Sequence, residues 1–339
     1  MTLAIDRCLD EMLHRPDSEG RTLACVVSVG GEVVAERYGS TPDTIFGPGS
    51  PVTRDSTLIS WSMAKSITHA LVGIAQSDGL LSVDENIALT PWIERNDPPT
   101  TWNDLLEMRS GLLFVEDYLD GEASHCIEML FSGEDSQGVD DMGLYAASLP
   151  RVAQPGEQWS YSSGTTNVLC RMLGDRLAGG GVGEVGATAR RKAIEQFATE
   201  RLFRPLRMGS TSMKFDATGT FVGSSFVYAT ARDFVQFGEL YRRNGYGPSG
   251  ERILPQGWVE HGRTKVAHDP DGAGPFGFDY GRHWWLWPNL PGSMAAHGYQ
   301  GQFILVVPER ELTLVHLGIT DVGVAPRLVE RINELVSAL

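Results

Sequence analysis

The chain of 339 residues contains no run of eighteen or more apolar residues, so no membrane-spanning helix is expected. Its opening residues, MTLAIDRCLDEMLHRPDSEG, carry acids and bases throughout and lack the apolar stretch of a secretion signal. They read as a short amphipathic helix, and the expected location is cytoplasmic. Cysteine is sparse: Cys8, Cys25, Cys126 and Cys170 are scattered, with no C-x-x-C and no zinc spacing, which predicts free, buried thiols. The eight histidines form neither H-E-x-x-H nor H-x-H, so no metal site is expected. Lysine is rare, with four among 28 basic residues. Acids outnumber bases to a formal net charge of −15, which disfavours nucleic acid and anionic membrane surfaces as partners. There is no G-x-S-x-G, which disfavours the α/β-hydrolase fold. A G-x-G-x-x-G at Gly181, Gly183 and Gly186 follows a helical stretch instead of a strand, so it reads as an interhelical loop and not as a dinucleotide site.

What is present is enough apolar residue, 42%, for a substantial core. TLACVVSVGGEVVAERYG predicts two strands joined at Gly30-Gly31. STLISWSMAKSITHALVGIAQSDGLL enters an amphipathic helix with Met63, Ile67, Ala70, Leu71 and Ile74 at helical spacing, ended by Asp78-Gly79. From about 82 to 201 the pattern is helical and loop-rich: TWNDLLEMRSGL predicts a short helix stopped at Gly111, followed by helices in SSGTTNVLCRMLGDRLA and ARRKAIEQFATERLF. TARDFVQFGELYRRNG predicts another, with Gly245 at its end. Strand character returns in RHWWLWP, GQFILVVPE and ELTLVHLG, and APRLVERINELVSAL closes the chain as a helix. The fold class expected is α+β: one domain over residues 1–339, with an antiparallel sheet drawn from both chain ends and covered by the terminal helices. Its α/β lobe would span about 1–75 and 205–339, and a helical lobe about 76–204.

Three pieces carry chemistry. Ser62 and Lys65 stand three apart at a helix start, hence on one face. A serine hydroxyl becomes a nucleophile when a neighbouring base takes its proton. A lysine serves as that base when burial or a helix dipole lowers its pKa. Only Lys65, of the four lysines, has a serine three residues before it. Tyr161, in GEQWSYSSGTTN, gives Y-x-S just ahead of a helix and could pass a proton between nucleophile and leaving group. In SMAAHGYQGQFILVVPE, Gly298 and Gly301 allow close backbone approach to a ligand. A strand N–H there, with that of Ser62, would form an oxyanion hole.

In this order the motifs resemble the serine β-lactamase and penicillin-binding-protein superfamily, and most closely its class C-like branch of esterases, DD-peptidases and 6-aminohexanoate-dimer hydrolases. The resemblance spans SMAKSITHALVGIAQSDGLLSVDENI, LLEMRSGL, PGEQWSYSSGTTNVL, RPLRMGSTSMKFDATG, ATARDFVQFGELYRRNG, ILPQGWV and GYQGQFILVVPE. It implies a β-lactamase/transpeptidase-like fold. It implies Ser62 as the acylated nucleophile, Lys65 as its base partner and Tyr161 as a second acid/base. The oxyanion N–H groups would belong to Ser62 and Tyr299. Ser163 stands where β-lactamases carry asparagine, and Ala296-His297-Gly298 stands at their K-T-G, so the lysine that recognises a carboxylate is absent. His297 could replace it in part, as a donor or a switchable cation. Tyr118 and Asp117, in GLLFVEDYLDGEASH, match the region that contacts amide substrates in aminohexanoate-type hydrolases. The resemblance thus implies substrate contacts from Ser163, His297, Gly298, Tyr118 and Asp117. The expected function is acyl-enzyme hydrolysis of small esters, with linear-amide hydrolysis, weak β-lactam hydrolysis and a catalytically silent binding module as alternatives. No metal or organic cofactor is implied, and the sequence assigns no oligomeric state.

Overall fold

The two β-rich runs around Gly30-Gly31 fold back on each other in the computed structural model, which describes every residue except 1, 46, 119–122, 134–136, 181–184, 270–276 and 289. Strand β1 (Arg21–Val29) pairs antiparallel with β2 (Glu32–Tyr38), and both turn glycines take positive φ, 64° and 94°. Strands β3 (Leu58–Ile59), β4 (Ser212–Met213) and β5 (Val227–Ala229) make a small separate sheet in the order β3-β5-β4. The remaining strands are β6 (Ala267–Asp269), β7 (Phe278–Tyr280), β8 (Trp285–Leu286), β9 (Met294–Gly298), β10 (Gln302–Val307) and β11 (Leu312–Ile319). With β1 and β2 they form one eight-stranded antiparallel sheet, ordered β2-β1-β11-β10-β9-β8-β7-β6. Residue Arg21 pairs with Ile319, so strands from the two chain ends pair side by side in one sheet as the sequence predicts.

Both faces of this sheet are covered, which is why β10 reads as an unbroken apolar run instead of alternating. Successive side chains go to opposite faces. Val26, Ile304, Val306 and Val315 pack toward the Met63–Ser77 and Ala231–Arg242 helices. Val27, Phe303, Leu305 and Leu314 pack toward Ile5 and Leu9 of the first helix and Leu328, Ile332 and Leu335 of the last. The Ala231–Arg242 helix approaches closely at Gly238, where a Cβ would lie 2.5 Å from the Thr313 methyl. Among the described residues no helix is long and apolar enough to cross a membrane. All four cysteines are free thiols, three of them buried.

The helix at TWNDLLEMRSGL is shorter than the sequence suggests. It spans Trp102–Leu106, begins with a Thr101–Asp104 capping box, and ends well before Gly111 because Met108 takes φ 58°. Helices at Thr90–Glu94, His125–Phe131 and Met142–Ser148 fill the stretch between. In the G-x-G-x-x-G stretch, residues 181–184 lie outside the described residues; a helix, Ser163–Leu177, precedes it and another, Ala187–Ala198, follows.

The Met63–Ser77 helix is buried on all sides from Met63 to Ala75, so its polar side chains must find partners. They do: Ser66 Oγ donates to the His283 carbonyl at 2.7 Å, and Thr68 Oγ1 to the Gly223 carbonyl at 3.1 Å. This helix is the rigid element on which the candidate site is built.

Candidate active site

Residue Ser62 stands at the N-cap of that buried helix, yet its hydroxyl caps nothing. It accepts instead from Lys65 Nζ at 2.9 Å. The same Nζ donates to Ser163 Oγ at 2.9 Å and to the Ser224 carbonyl at 3.0 Å. Lys65 is 2% exposed. Burial pulls its pKa below the ordinary lysine value, and the nearby Glu116 carboxylate opposes that pull. Tyr161 stands near enough to Ser62 for the serine side chain to act on its ionisation, and Lys65 Nζ lies 4.7 Å from the centre of its ring. Burial, then the Glu116 charge, push the Tyr161 pKa well above the usual phenol value, so it is a phenol at neutral pH. The amine therefore lies against both the nucleophile and the phenol ring.

The turn after β9 approaches the nucleophile from the other side. A Cβ on Gly298 would lie 2.3 Å from the Ser60 carbonyl oxygen and 3.1 Å from Trp61 Cβ, so only glycine lets the strand end come this close. Ser62, at a helix N-cap, and Tyr299, first in the turn Tyr299–Gly301, both occupy positions whose N–H has no intrahelical carbonyl to bind. Each is flanked by a residue in the left-handed region: Trp61 at φ 44° before Ser62, and Gln300 at φ 62° after Tyr299. Such conformations cost about 1–3 kcal/mol each and persist where the surroundings impose them.

His297 lies elsewhere. Its ring stacks on Phe303 at 4.4 Å and meets Trp285 edge-on at 6.4 Å. Burial lowers its pKa to about 4, so it is neutral at pH 7. The wall beside Tyr161 is aromatic, formed by Trp285 at 5.3 Å and Tyr280 at 6.0 Å. A second aromatic series continues from the nucleophile turn: Tyr118 stacks on Tyr299 at 5.2 Å, Tyr299 meets Trp61 at 5.7 Å, and Trp61 touches Phe226 and Phe131. Asp117 is half-buried beside Tyr118.

The sequence reading misses Glu116. Its carboxylate accepts from Ser163 Oγ at 2.8 Å, from Tyr118 Oη at 2.7 Å, and from the Ser163 N–H. Ser163 is the first residue of the Ser163–Leu177 helix, which Ser162 caps through the Thr165 N–H, so Glu116 sits at the positive end of a helix dipole. The signal available was an acid directly after the apolar run LLFV, next to Tyr118. The Ser224 carbonyl carries no sequence signal.

A family model described as Beta-lactamase matches residues 5–335. The chain belongs to the beta-lactamase family. Among solved structures the fold is similar to EstCE1, a hydrolase with promiscuous acyltransferase activity, at TM-score 0.76 and 16% identity over 99% of each chain. It is similar to a family VIII carboxylesterase at TM-score 0.72 and 14% identity, covering 100% of this chain and 97% of that one. A penicillin-binding protein homologue from Caulobacter crescentus matches at TM-score 0.73 and 15% identity, with the same coverage. The comparison with curated protein sequences finds no match. Membership fixes the β-lactamase/transpeptidase-like fold, and this family is one of serine hydrolases.

Proposed function

We propose that this beta-lactamase-family chain is a carboxylesterase that cleaves small acyl esters through an acyl-enzyme on Ser62. The observation that carries the reading is the buried contact of Lys65 Nζ with Ser62 Oγ at 2.9 Å, with the Tyr161 ring 4.7 Å from the same Nζ. In its neutral form Lys65 takes the Ser62 proton as Oγ attacks the ester carbonyl carbon. The oxyanion that forms is held by the N–H groups of Ser62 and Tyr299. When the carbon–oxygen bond to the leaving alcohol breaks, Tyr161 gives that oxygen its proton and is reprotonated from Lys65. Water then attacks the acyl carbon, passes a proton back through the same pair, and Ser62 leaves with its hydroxyl restored.

Esters are favoured over β-lactams by what faces the site. Ala296 occupies the place of the carboxylate-recognising lysine, His297 is turned onto Phe303, and the wall beside Tyr161 supplies aromatic rings instead of a cation. Gly298 is the strand residue that lies against the nucleophile turn, and Tyr118 stacks on Tyr299. Turnover of p-nitrophenyl acetate and butyrate by wild type and Ser62→Ala tests the reading. Equal rates would remove Ser62 as the nucleophile, and nitrocefin turnover matching ester turnover would move the assignment to β-lactams.

A further inference from the structure

Lysine Nζ at position 65 donates to three oxygens at once: Ser62 Oγ, Ser163 Oγ and the Ser224 carbonyl. Three donated hydrogen bonds use all three protons of an ammonium. An ammonium cannot accept the Ser62 proton, so a proton must leave Lys65 before or as Ser62 attacks. The neighbouring hydroxyl offers a path. Ser163 Oγ receives from Lys65 at 2.9 Å and hands its own proton toward Glu116 Oε1 at 2.8 Å. The Ser163 N–H and Tyr118 Oη bind the same carboxylate and hold it in line.

We propose that Glu116 is the proton acceptor that arms Lys65, reached through the hydroxyl of Ser163. One N–H bond of Lys65 breaks and an O–H bond forms on Ser163. The original Ser163 O–H bond breaks and its proton bonds to Glu116 Oε1. Ammonium and carboxylate become amine and carboxylic acid, the net charge is unchanged, and no other reactant is needed. Neutralising the buried Lys65 ammonium also removes its desolvation cost. The inference rests on Ser62 being the nucleophile. Glu116 acts through Ser163 and touches no reacting atom of the substrate.

The opposite role is equally definite. A carboxylate beside Lys65 stabilises the ammonium, and by itself would only make the amine harder to free. The two roles predict shifts of opposite sign. Around the pair stand Tyr118, Tyr161 and Tyr280, all raised by burial, Cys126 and Cys170, pushed up to about 12, and His283, pushed down to about 3. His125, next to Cys126, accepts from the Val115 N–H at 2.9 Å, and a His125→Gln variant serves as its control.

The test is kcat/KM for p-nitrophenyl butyrate from pH 5 to 9 in wild type, Glu116→Gln, Ser163→Ala and His125→Gln. With Glu116 as acceptor, the acid limb moves to higher pH in Glu116→Gln and in Ser163→Ala, because Lys65 must then lose its proton to solvent. A shift of about one unit gives roughly a tenfold loss at pH 6 that is recovered by pH 9. His125→Gln keeps the wild-type limb. An acid limb that stays in place or moves to lower pH in Glu116→Gln overturns the proposal. A fluorophosphonate adduct of one per chain at pH 9 shows that each variant is folded with a live Ser62. Failure of the wild type itself to form that adduct would instead remove the Ser62 reading.

Discussion

The Nζ of Lys65 lies 2.9 Å from Ser62 Oγ, one helical turn away on a helix that is buried on all sides. The amine is useful there only if it can lose a proton. Lys65→Ala is expected to lower kcat for p-nitrophenyl butyrate by about 10³-fold or more. Lys65→Arg is expected to be as poor, because a guanidinium keeps its proton. Steady-state kinetics on both variants check this, and substantial activity in Lys65→Arg would show that position 65 needs only a positive charge.

Gly298 fixes how closely the strand end approaches the nucleophile. A Cβ there meets the Ser60 carbonyl at 2.3 Å, and neither group is a flexible side chain. Gly298→Ala is therefore expected to push the Tyr299 N–H away from the reacting carbonyl. A displacement of about 1 Å at such a site costs on the order of 10²-fold in kcat. Kinetics set beside a thermal melt test this; a fall in melting temperature with kcat unchanged would assign the glycine to packing alone.

The rings of Trp61, Tyr299, Phe131 and Phe226 pack as one aromatic cluster next to Ser62. Phe131→Ala is expected to raise KM for phenylacyl esters by about tenfold, corresponding to about 1.4 kcal/mol of lost aromatic contact. The acetyl ester, too short to reach this cluster, should change by less than threefold. A KM ratio that is the same for both esters contradicts the contact.

Buried neutral histidines set an acid limit on stability. Burial holds His283 and His316 at about 3, and they are 2% and 0% exposed. In the unfolded chain each returns to the ordinary value of 6.5, so below that pH the unfolded state binds more protons. Their stabilisation is complete above pH 6.5 and is lost as pH falls toward 3. At pH 5 each costs about 2 kcal/mol. Urea unfolding at pH 7.5 and pH 5 should show that drop, and equal stability at the two values would contradict the neutral, buried state of both.

Much of the fold is legible in the sequence because its strong elements are periodic and long. The β1–β2 hairpin is marked by Gly30-Gly31, and β10 and β11 by their apolar runs. The strands β3 to β7 are two or three residues long, too short for an alternating pattern to mark them, and β3 also depends on a partner, β5, far along the chain. Ser62 and Lys65 are legible because helical spacing alone places them together. Tyr161 comes within reach through a fold that brings the start of the Ser163–Leu177 helix against Lys65, which spacing cannot show. Glu116 is hidden for the same reason. Its role follows from a helix N-terminus 47 residues away. His297 carries a residue type suggestive of a switch, but the pleat of β9 turns it onto Phe303.

The most direct measurement is intact mass of the wild type and Ser62→Ala after reaction with a fluorophosphonate, with peptide mapping of the adduct and ester turnover on the same samples. The account predicts one adduct per wild-type chain, mapped to Ser62, with none on Ser62→Ala and ester turnover lost together with it. An adduct on another residue, or ester turnover by Ser62→Ala equal to wild type, would contradict it.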